Sequence, residues 1–203
     1  MGSFIAIHIK DGEERTLLRA VESWLGPFGF GEIERFEVVP PVLKTIRFRA
    51  ADAVGVERLN DSWHLVMINA FRLGNLTVDD AVVGPLAERL QTRMVLFAAQ
   101  TTGGVYQLAV FERGDCIRNL LCSDCQLLTN FGPPLPGERR GVFTDSQWTG
   151  DGKLLDDEDA PTEMEDAKAI CAALGFELWR SPPLRGPGHF WRRRTFLSRL
   201  LGR

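Results

Sequence analysis

The stretch from Met94 to Cys122, MVLFAAQTTGGVYQLAVFERGDCIRNLLC, decides the fold class of this chain. It opens with Met94–Ala99, an apolar run of strand length, and the turn residues Thr102-Gly103-Gly104 follow. Apolar residues then alternate from Tyr106 to Val110, Gly114-Asp115 turns the chain again, and a third apolar stretch returns to Cys122. The segment therefore predicts a three-stranded antiparallel meander.

Two further strands and a helix are predicted before the meander. Phe4–Ile9 alternates as a strand does, and the helical spacing of apolar residues predicts an amphipathic helix over 14–25, ended by Gly26-Pro27. Trp63–Phe71 is apolar on both faces, which is typical of a central strand. Weaker signals indicate strands at 33–39 and 43–49, and a short helix with Pro85 in its first turn.

After the meander the pattern changes from strand to loop and helix. Residues 132–152 are rich in Pro and Gly and predict an ordered loop. Thr162 and Glu165 form a capping-box pattern that predicts a helix over 163–174, ended by Gly175. Apolar residues at 176–179 predict a last strand. The expected fold is α+β, a mainly antiparallel sheet with two or three covering helices.

The charge distribution divides the chain at its C-terminal end. Six of the 24 basic residues and none of the 27 acidic residues lie between Arg185 and Arg203, so residues 1–184 carry a net charge of −9. We therefore predict one globular domain over 1–180 and a basic, Arg-rich tail over 181–203. The tail could bind anionic lipid or nucleic acid, or dock on the acidic body, through Trp191, Arg192, Arg193 and Arg194.

The composition is that of an ordinary globular protein. It is 44% hydrophobic and 25% charged, and no apolar run reaches the roughly 18 residues that a membrane-spanning helix needs. The apolar stretch near the start is of strand size, not that of a signal peptide. Four clustered cysteines are too few for a secreted disulfide framework in 203 residues, so we expect a cytoplasmic protein with reduced thiols.

The motifs that carry catalytic or metal chemistry are weak in this sequence. Cys122 and Cys125 form a lone C-x-x-C with no second ligand pair, so we expect no metal and no cofactor. The three histidines (His8, His64, His189) lie far apart in the sequence, and two of them fall in apolar strands. No residue is therefore assigned a catalytic role, although a cysteine and a histidine could still meet in a cleft.

An acidic segment stands out as a candidate binding surface. It contains Asp156, Asp157, Glu158 and Asp159, and it follows a loop that carries Phe143 and Trp148. Acidic side chains speed association with a basic partner, and exposed aromatic residues supply affinity. These six residues are the predicted partner-binding site. The alternatives are a solvated acidic loop and a Trp148 that is buried within it.

A pattern around the meander resembles one found in small bacterial proteins of the toxin-immunity type. It comprises Gln100-Thr-Thr, Phe111-Glu-Arg-Gly114 with Arg118, and Gly132-Pro-Pro-Leu-Pro-Gly-Glu138, within residues 93–140. The resemblance implies an inhibitor that masks a toxin, and it implies no catalytic residues. We therefore expect a non-catalytic binding protein. The alternatives are an enzyme with a Cys/His site, or an accessory protein that contacts membrane or nucleic acid through its tail.

Overall fold

The described residues form a nine-stranded sheet in which all the strand pairs are antiparallel. The computed structural model describes residues 3–10, 13–36, 53–69, 80–100, 104–123, 126–139, 142–143, 163–178 and 188–193. The strands are β1 (Ser3–Lys10), β2 (Phe30–Phe36), β3 (Ala53–Arg58), β4 (Trp63–Asn69), β5 (Arg93–Gln100), β6 (Val105–Glu112), β7 (Asp115–Ser123), β8 (Gln126–Phe131) and β9 (Gly188–Arg193). Their spatial order is β2-β9-β3-β4-β1-β5-β6-β7-β8.

Helices cover both faces of this sheet. Helix α1 (Glu14–Leu25) is followed by a 3-10 turn at Gly26–Phe28. It packs beside α2 (Asp80–Leu90) on one face of the sheet. Helix α3 (Glu163–Ala173) packs on the opposite face. We call these two surfaces the α1–α2 face and the α3 face. Each face has its own hydrophobic core, because a sheet that is apolar on both sides must be covered twice.

The strands in the middle of the sheet contribute to both cores. Along β1, Ile7 and Ile9 enter the core of the α1–α2 face, whereas Ala6 enters that of the α3 face. In β4, Val66 and Ile68 lie on the first face, and Trp63, Leu65 and Met67 lie on the second. This two-sided burial explains why both strands are apolar along most of their length.

The predicted α+β class and the antiparallel meander are confirmed. Strands β5, β6 and β7 form the meander, and β8 continues it to the edge of the sheet. The central position predicted for the strand at Trp63 is also correct, since β4 lies between β3 and β1. The helices predicted at 14–25 and 163–174 are present with nearly the expected bounds.

Several local predictions are wrong or fall outside the described residues. Pro85 lies inside α2, which begins at Asp80, because apolar contacts of Val83, Leu86 and Ala87 hold the helix to the sheet across the proline. Phe176 and Leu178 are buried in the core of the α3 face without forming a strand. The strand predicted at 33–39 begins earlier, at Phe30. The strand predicted at 43–49 lies outside the described residues.

The largest correction concerns the predicted tail. Residues Gly188–Arg193 are strand β9, which inserts between β2 and β3 and pairs with both. Trp191 is 1% exposed and packs in the core of the α1–α2 face. The boundary at 180/181 therefore does not separate a tail from the domain, because the backbone groups of β9 form hydrogen bonds with both neighbouring strands, β2 and β3.

We predict that Trp191→Ala destabilises the protein by about 3 kcal/mol, because it leaves a large cavity in the core. We place this loss of stability at the lower end of the usual range, because the substitution breaks no hydrogen bond of the indole. The buried Nε1 atom of Trp191 has no hydrogen-bond partner among the described residues. Urea denaturation measures the change. Phe131→Ala, at a side chain that is 56% exposed, is the control and should cost less than about 1 kcal/mol. Equal, small effects would show that β9 contributes little to the core.

Candidate functional site

Three buried polar side chains lie in one row across the α3 face. The row runs through directly paired residues of six strands: Glu57 (β3), Leu65 (β4), His8 (β1), Val95 (β5), Val110 (β6) and Arg118 (β7). Because paired residues point to the same side of a sheet, Glu57, His8 and Arg118 all enter the core of this face. Each must be explained, since buried polar groups are costly unless they are paired.

Arg118 is fully paired. Its Nε and Nη2 atoms donate to the two carboxylate oxygens of Glu138, the first at 3.0 Å. Its Nη1 donates to the side-chain oxygen of Asn130 at 2.8 Å and to the carbonyl oxygens of Phe131 and Gly132 at 2.7 and 3.0 Å. The guanidinium therefore holds the end of β8 and the following loop in one arrangement.

A second ion pair joins the same loop to helix α3. The Nε and Nη2 atoms of Arg139 donate to the carboxylate of Asp166 at 2.6 and 2.9 Å, and the backbone N–H of Phe143 donates to that carboxylate at 2.9 Å. Gly137 approaches α3 so closely that an added Cβ would lie 2.5 Å from the carbonyl oxygen of Ala169. The loop is thus packed between the sheet and the helix.

These contacts give the Gly132–Glu138 pattern a structural role. Gly132 has a φ of +83°, and an added Cβ would lie 2.0 Å from the carbonyl oxygen of Ile117. Glu138 neutralises Arg118 and also accepts the backbone N–H of Leu135 at 3.0 Å. Of the residues that carry the resemblance, Arg118 and Glu138 therefore pair in the interior and hold the loop, whereas Pro133, Pro134 and Pro136 are exposed.

His8 is enclosed by aromatic side chains. Its ring stacks on Phe176 with centroids 4.4 Å apart, and Phe176 contacts Trp63 in turn at 4.3 Å. Neither ring nitrogen of His8 makes a hydrogen bond of normal geometry. Burial lowers the pKa of His8 from 6.5 to about 4, and the backbone of Val95 and Leu178 opposes that change only weakly. His8 is therefore neutral at pH 7 and is not accessible to a substrate.

A shallow cleft of about 360 Å³ lies on the outer side of Phe176. Its lining comprises Leu59, Asn60, Ala172, Gly175, Phe176 and Glu177. The Nδ2 atom of Asn60 donates to the carbonyl oxygen of Gly175 at 3.4 Å, which joins the two rims of the cleft. Phe176 separates the cleft from His8, so the histidine does not reach a ligand that binds there.

Glu57 is the other unusual group of the row. It lies opposite Gly188 of β9 and Leu65 of β4, and neither residue offers a polar side chain. Its Oε2 atom is buried without a hydrogen-bond partner. Burial raises the pKa of Glu57 from 4.5 to about 7, because the charged form loses its hydration.

The remaining histidines lie on the α1–α2 face. His189 of β9 is paired with Val56 and has its Nε2 3.5 Å from a carboxylate oxygen of Glu14, at the start of α1. His64 of β4 is paired with Ile9. Since His8 lies on the opposite face, the sheet separates it from both, and the three histidines do not form one site.

Two of the three described cysteines, Cys122 and Cys171, are buried. Burial raises the pKa of Cys171 to about 12, which suppresses its thiolate, and Cys122 is buried in the core of the α3 face. Cys125 lies outside the described residues. Within the part of the chain that the structure describes, no three His, Cys, Asp or Glu residues are grouped to hold a metal ion, and no helix is long and apolar enough to cross a membrane.

The outer edge at β8 is the most exposed apolar feature of the described residues. Leu128 is 60% exposed and Phe131 is 56% exposed. Strand β8 pairs with β7 on one side only, and a bulge interrupts that pairing between Thr129 and Leu127. Among the described strands, none pairs with the other side of β8, which makes β8 an edge strand of the kind that can pair with another chain.

Two of the predicted site residues, Phe143 and Trp191, have described side chains, and neither is exposed. Phe143 was expected to be an exposed anchor, but it is fully buried in the core of the α3 face, and its backbone N–H donates to Asp166. Trp191 was expected to bind through the tail, but it is buried in β9, a strand that also contains Arg192 and Arg193. Asp156, Asp157, Glu158, Asp159, Trp148 and Arg194 lie outside the described residues.

The sequence analysis missed the β8 edge as a candidate surface. The signal was available: a short run from Gln126 to Phe131 that is rich in apolar residues, lacks charge and follows directly on the meander. Comparison with known proteins does not assign the site. No family model, curated protein or solved structure matches this chain.

We predict that Glu138→Gln destabilises the protein by about 3 kcal/mol, because it leaves the buried Arg118 charge without its counterion. The matched control is Glu165→Gln, which breaks an exposed pair with Lys168 and should cost less than about 1 kcal/mol. Chemical denaturation of both variants measures the difference. Replacing both Arg118 and Glu138 by Met should lower the free energy of unfolding by less than the sum of the two single replacements by Met. Strict additivity would contradict the role of the pair.

The two perturbed groups of the row give opposite pH dependences. Folding lowers the pKa of His8, so its contribution to stability is lost as the pH falls from 6.5 to 4. Folding raises the pKa of Glu57, so stability is gained as the pH falls from 7 to 4.5. We therefore expect the two contributions, each up to about 3 kcal/mol, to oppose each other between pH 6.5 and 4.5.

Two conservative variants separate these contributions. Relative to the wild type, Glu57→Gln should make the protein lose more stability on acidification, because the His8 contribution is then unopposed. His8→Phe should shift the pH dependence the other way. The free energy of unfolding measured from pH 8 to pH 4.5 tests both expectations. Parallel pH profiles for the wild type and both variants would contradict the assigned pKa shifts.

Proposed function

We propose that the protein is a non-catalytic binding protein that recognises another protein, and that β8 provides its apolar contact surface. The single observation that supports this most is the pair of exposed side chains, Leu128 and Phe131, on a strand whose outer side pairs with none of the described strands. A partner segment that adds to this edge gains backbone hydrogen bonds from β8 and apolar contacts from the two side chains.

The rigidity of the edge favours this use. Arg118 binds the side chain of Asn130 and the carbonyl oxygens of Phe131 and Gly132, so the end of β8 is ordered before any partner arrives. A preorganised surface loses less conformational entropy on binding. Phe143 and Trp191 are already buried in the core, whereas Leu128 and Phe131 would become buried only when a partner covers them.

Electrostatics add a preference for a basic partner. The segment from Asp151 to Asp166 carries eight acidic residues and one lysine. A charge of this sign increases the association rate with a positively charged protein, and it does so less at high salt. We therefore propose a cytoplasmic inhibitor of the immunity type, which masks a basic toxin, as the specific form of this function.

We predict that a cognate partner is captured by the wild type and lost with Phe131→Lys, because the lysine places a charge within the apolar contact. Proteins of the source cell retained on each immobilised variant are identified by mass spectrometry, and binding is then measured with the purified partner. Ser23→Lys, on the exposed surface of α1, adds the same charge elsewhere and is the matched control. Reversing the charges of Asp156–Asp159 should slow association without unfolding the protein.

Other results would contradict the proposal. A partner retained equally by the wild type and by Phe131→Lys would show that β8 is not the binding surface. Turnover of a small substrate by the purified protein, abolished by one Cys or His substitution, would replace the binding function with an enzymatic one.

A further inference from the structure

The cleft beside Phe176 lies between two turns of the chain. One rim is the turn between β3 and β4, at Leu59 and Asn60, and the other is the end of α3 with residues 175–177. Its volume of about 360 Å³ is in the lower part of the range typical of small-molecule sites. The proposed function at β8 makes no use of this cleft.

Backbone hydrogen bonds hold both rims. In the turn between β3 and β4, the N–H of Leu59 donates to the carbonyl oxygen of Trp63 at 2.8 Å. At the end of α3, the N–H of Phe176 donates to the carbonyl oxygen of Cys171 at 3.1 Å, and Gly175 has the φ of +94° that such a helix end requires. A ligand would therefore meet a largely preformed surface.

The electrostatic character of the cleft is negative. Among the described residues that line it, Glu177 carries the charge, and it is exposed. The C-terminal end of α3 adds a partial negative charge, and the last turn of this helix holds no basic residue. The Nδ2 atom of Asn60 already donates to the carbonyl oxygen of Gly175 at 3.4 Å, so this donor is engaged within the rim.

The described basic residues that are nearest to the cleft in sequence are paired with other groups. Lys168, one turn before Ala172 on α3, donates to Glu165 at 2.5 Å. Arg58 donates to Asp61 at 3.3 Å. Neither of these cations therefore neutralises Glu177.

We infer that the cleft binds an organic cation, an alkylguanidinium or alkylammonium group, with the cationic end at Glu177 and the alkyl arm on Leu59 and Phe176. Both apolar side chains are buried beneath the cleft, with 4% and 3% of their surfaces exposed, so an alkyl arm meets an apolar floor. A single exposed carboxylate adds little affinity, so we expect a dissociation constant of roughly millimolar magnitude.

This inference goes beyond the proposed function, because it concerns a second and separate site. Strand β4, beside the cleft, is five positions from β8 in the sheet, which corresponds to about 24 Å at the usual strand spacing. The cationic group can belong to a free small molecule or to an arginine or lysine side chain of a partner. The two sources share the chemistry that the cleft recognises.

Titration of the full, ¹⁵N-labelled chain with butylguanidinium, followed by two-dimensional nuclear magnetic resonance, tests this inference. The backbone amides of Asn60, Gly175 and Glu177 should shift along one saturable curve. Butylurea has nearly the same shape without the charge, and it should bind about fivefold or more weakly, because it gains nothing from Glu177 or from the end of α3.

Two substitutions at exposed positions locate the site. Glu177→Gln should raise the dissociation constant of butylguanidinium about threefold, whereas the matched control Glu22→Gln, on exposed α1 surface across the sheet, should leave it unchanged. Ala172→Phe places a large side chain in the cleft and should abolish the saturable shifts. Far-ultraviolet circular dichroism should confirm that all three variants are folded.

A short neutral-ended peptide, acetyl-Gly-Arg-Gly-amide, distinguishes the two sources. Binding about tenfold tighter than that of butylguanidinium would assign the cleft to a partner's side chain, and equal or weaker binding would assign it to a free small cation. Three results would overturn the inference: no saturable shift with either probe, equal affinity for butylurea, or unchanged binding to Ala172→Phe. Because Phe131→Lys leaves the cleft intact, failure of this inference and failure of the proposed function are distinguishable.

Discussion

Burial of the sheet on both of its faces is the constraint on which the rest of this structure depends. Strands β1, β4 and β5 carry apolar side chains on both sides, so neither face of the sheet centre can remain in contact with water. Helices α1 and α2 cover one face, and α3 with residues 142–143 and 176–178 covers the other. Each polar group that this arrangement encloses must then be paired or neutral, or it lowers the free energy of unfolding.

The three buried polar residues of the α3 face illustrate each of these outcomes. Arg118 is paired, and it organises the loop from Gly132 to Glu138. His8 stays neutral among aromatic rings, and burial raises the pKa of Glu57, whose Oε2 atom has no hydrogen-bond partner among the described residues, to about 7. None of the three lines the cleft beside Phe176. Among the described residues, the exposed large apolar side chains lie on the edge strand β8.

The sequence predicted elements whose signals are local. The meander at Met94–Cys122 and the helix at 14–25 have periodicities that a single segment contains, and both were identified. Strand β9 could not be identified in this way, because its Arg-rich composition is that of an exposed tail and its pairing partners lie more than 130 residues earlier in the chain. Phe143 was misassigned for a related reason, since it lies in a core built from residues distant in the sequence, and its backbone N–H donates to Asp166 of helix α3.

The insertion of β9 also determines the order in which the protein can be assembled. Among the described strands, β2 pairs only with β9, a segment that the ribosome adds more than 150 residues later, so this pairing must wait until that segment is made. Until then β3 has an open side, and the incomplete chain has two additional places where another strand could bind. Contacts between such distant residues slow folding, because a long loop must close before any hydrogen bond forms. Newly made chains should therefore be most exposed to misassembly just before Gly188–Arg193 leaves the ribosome.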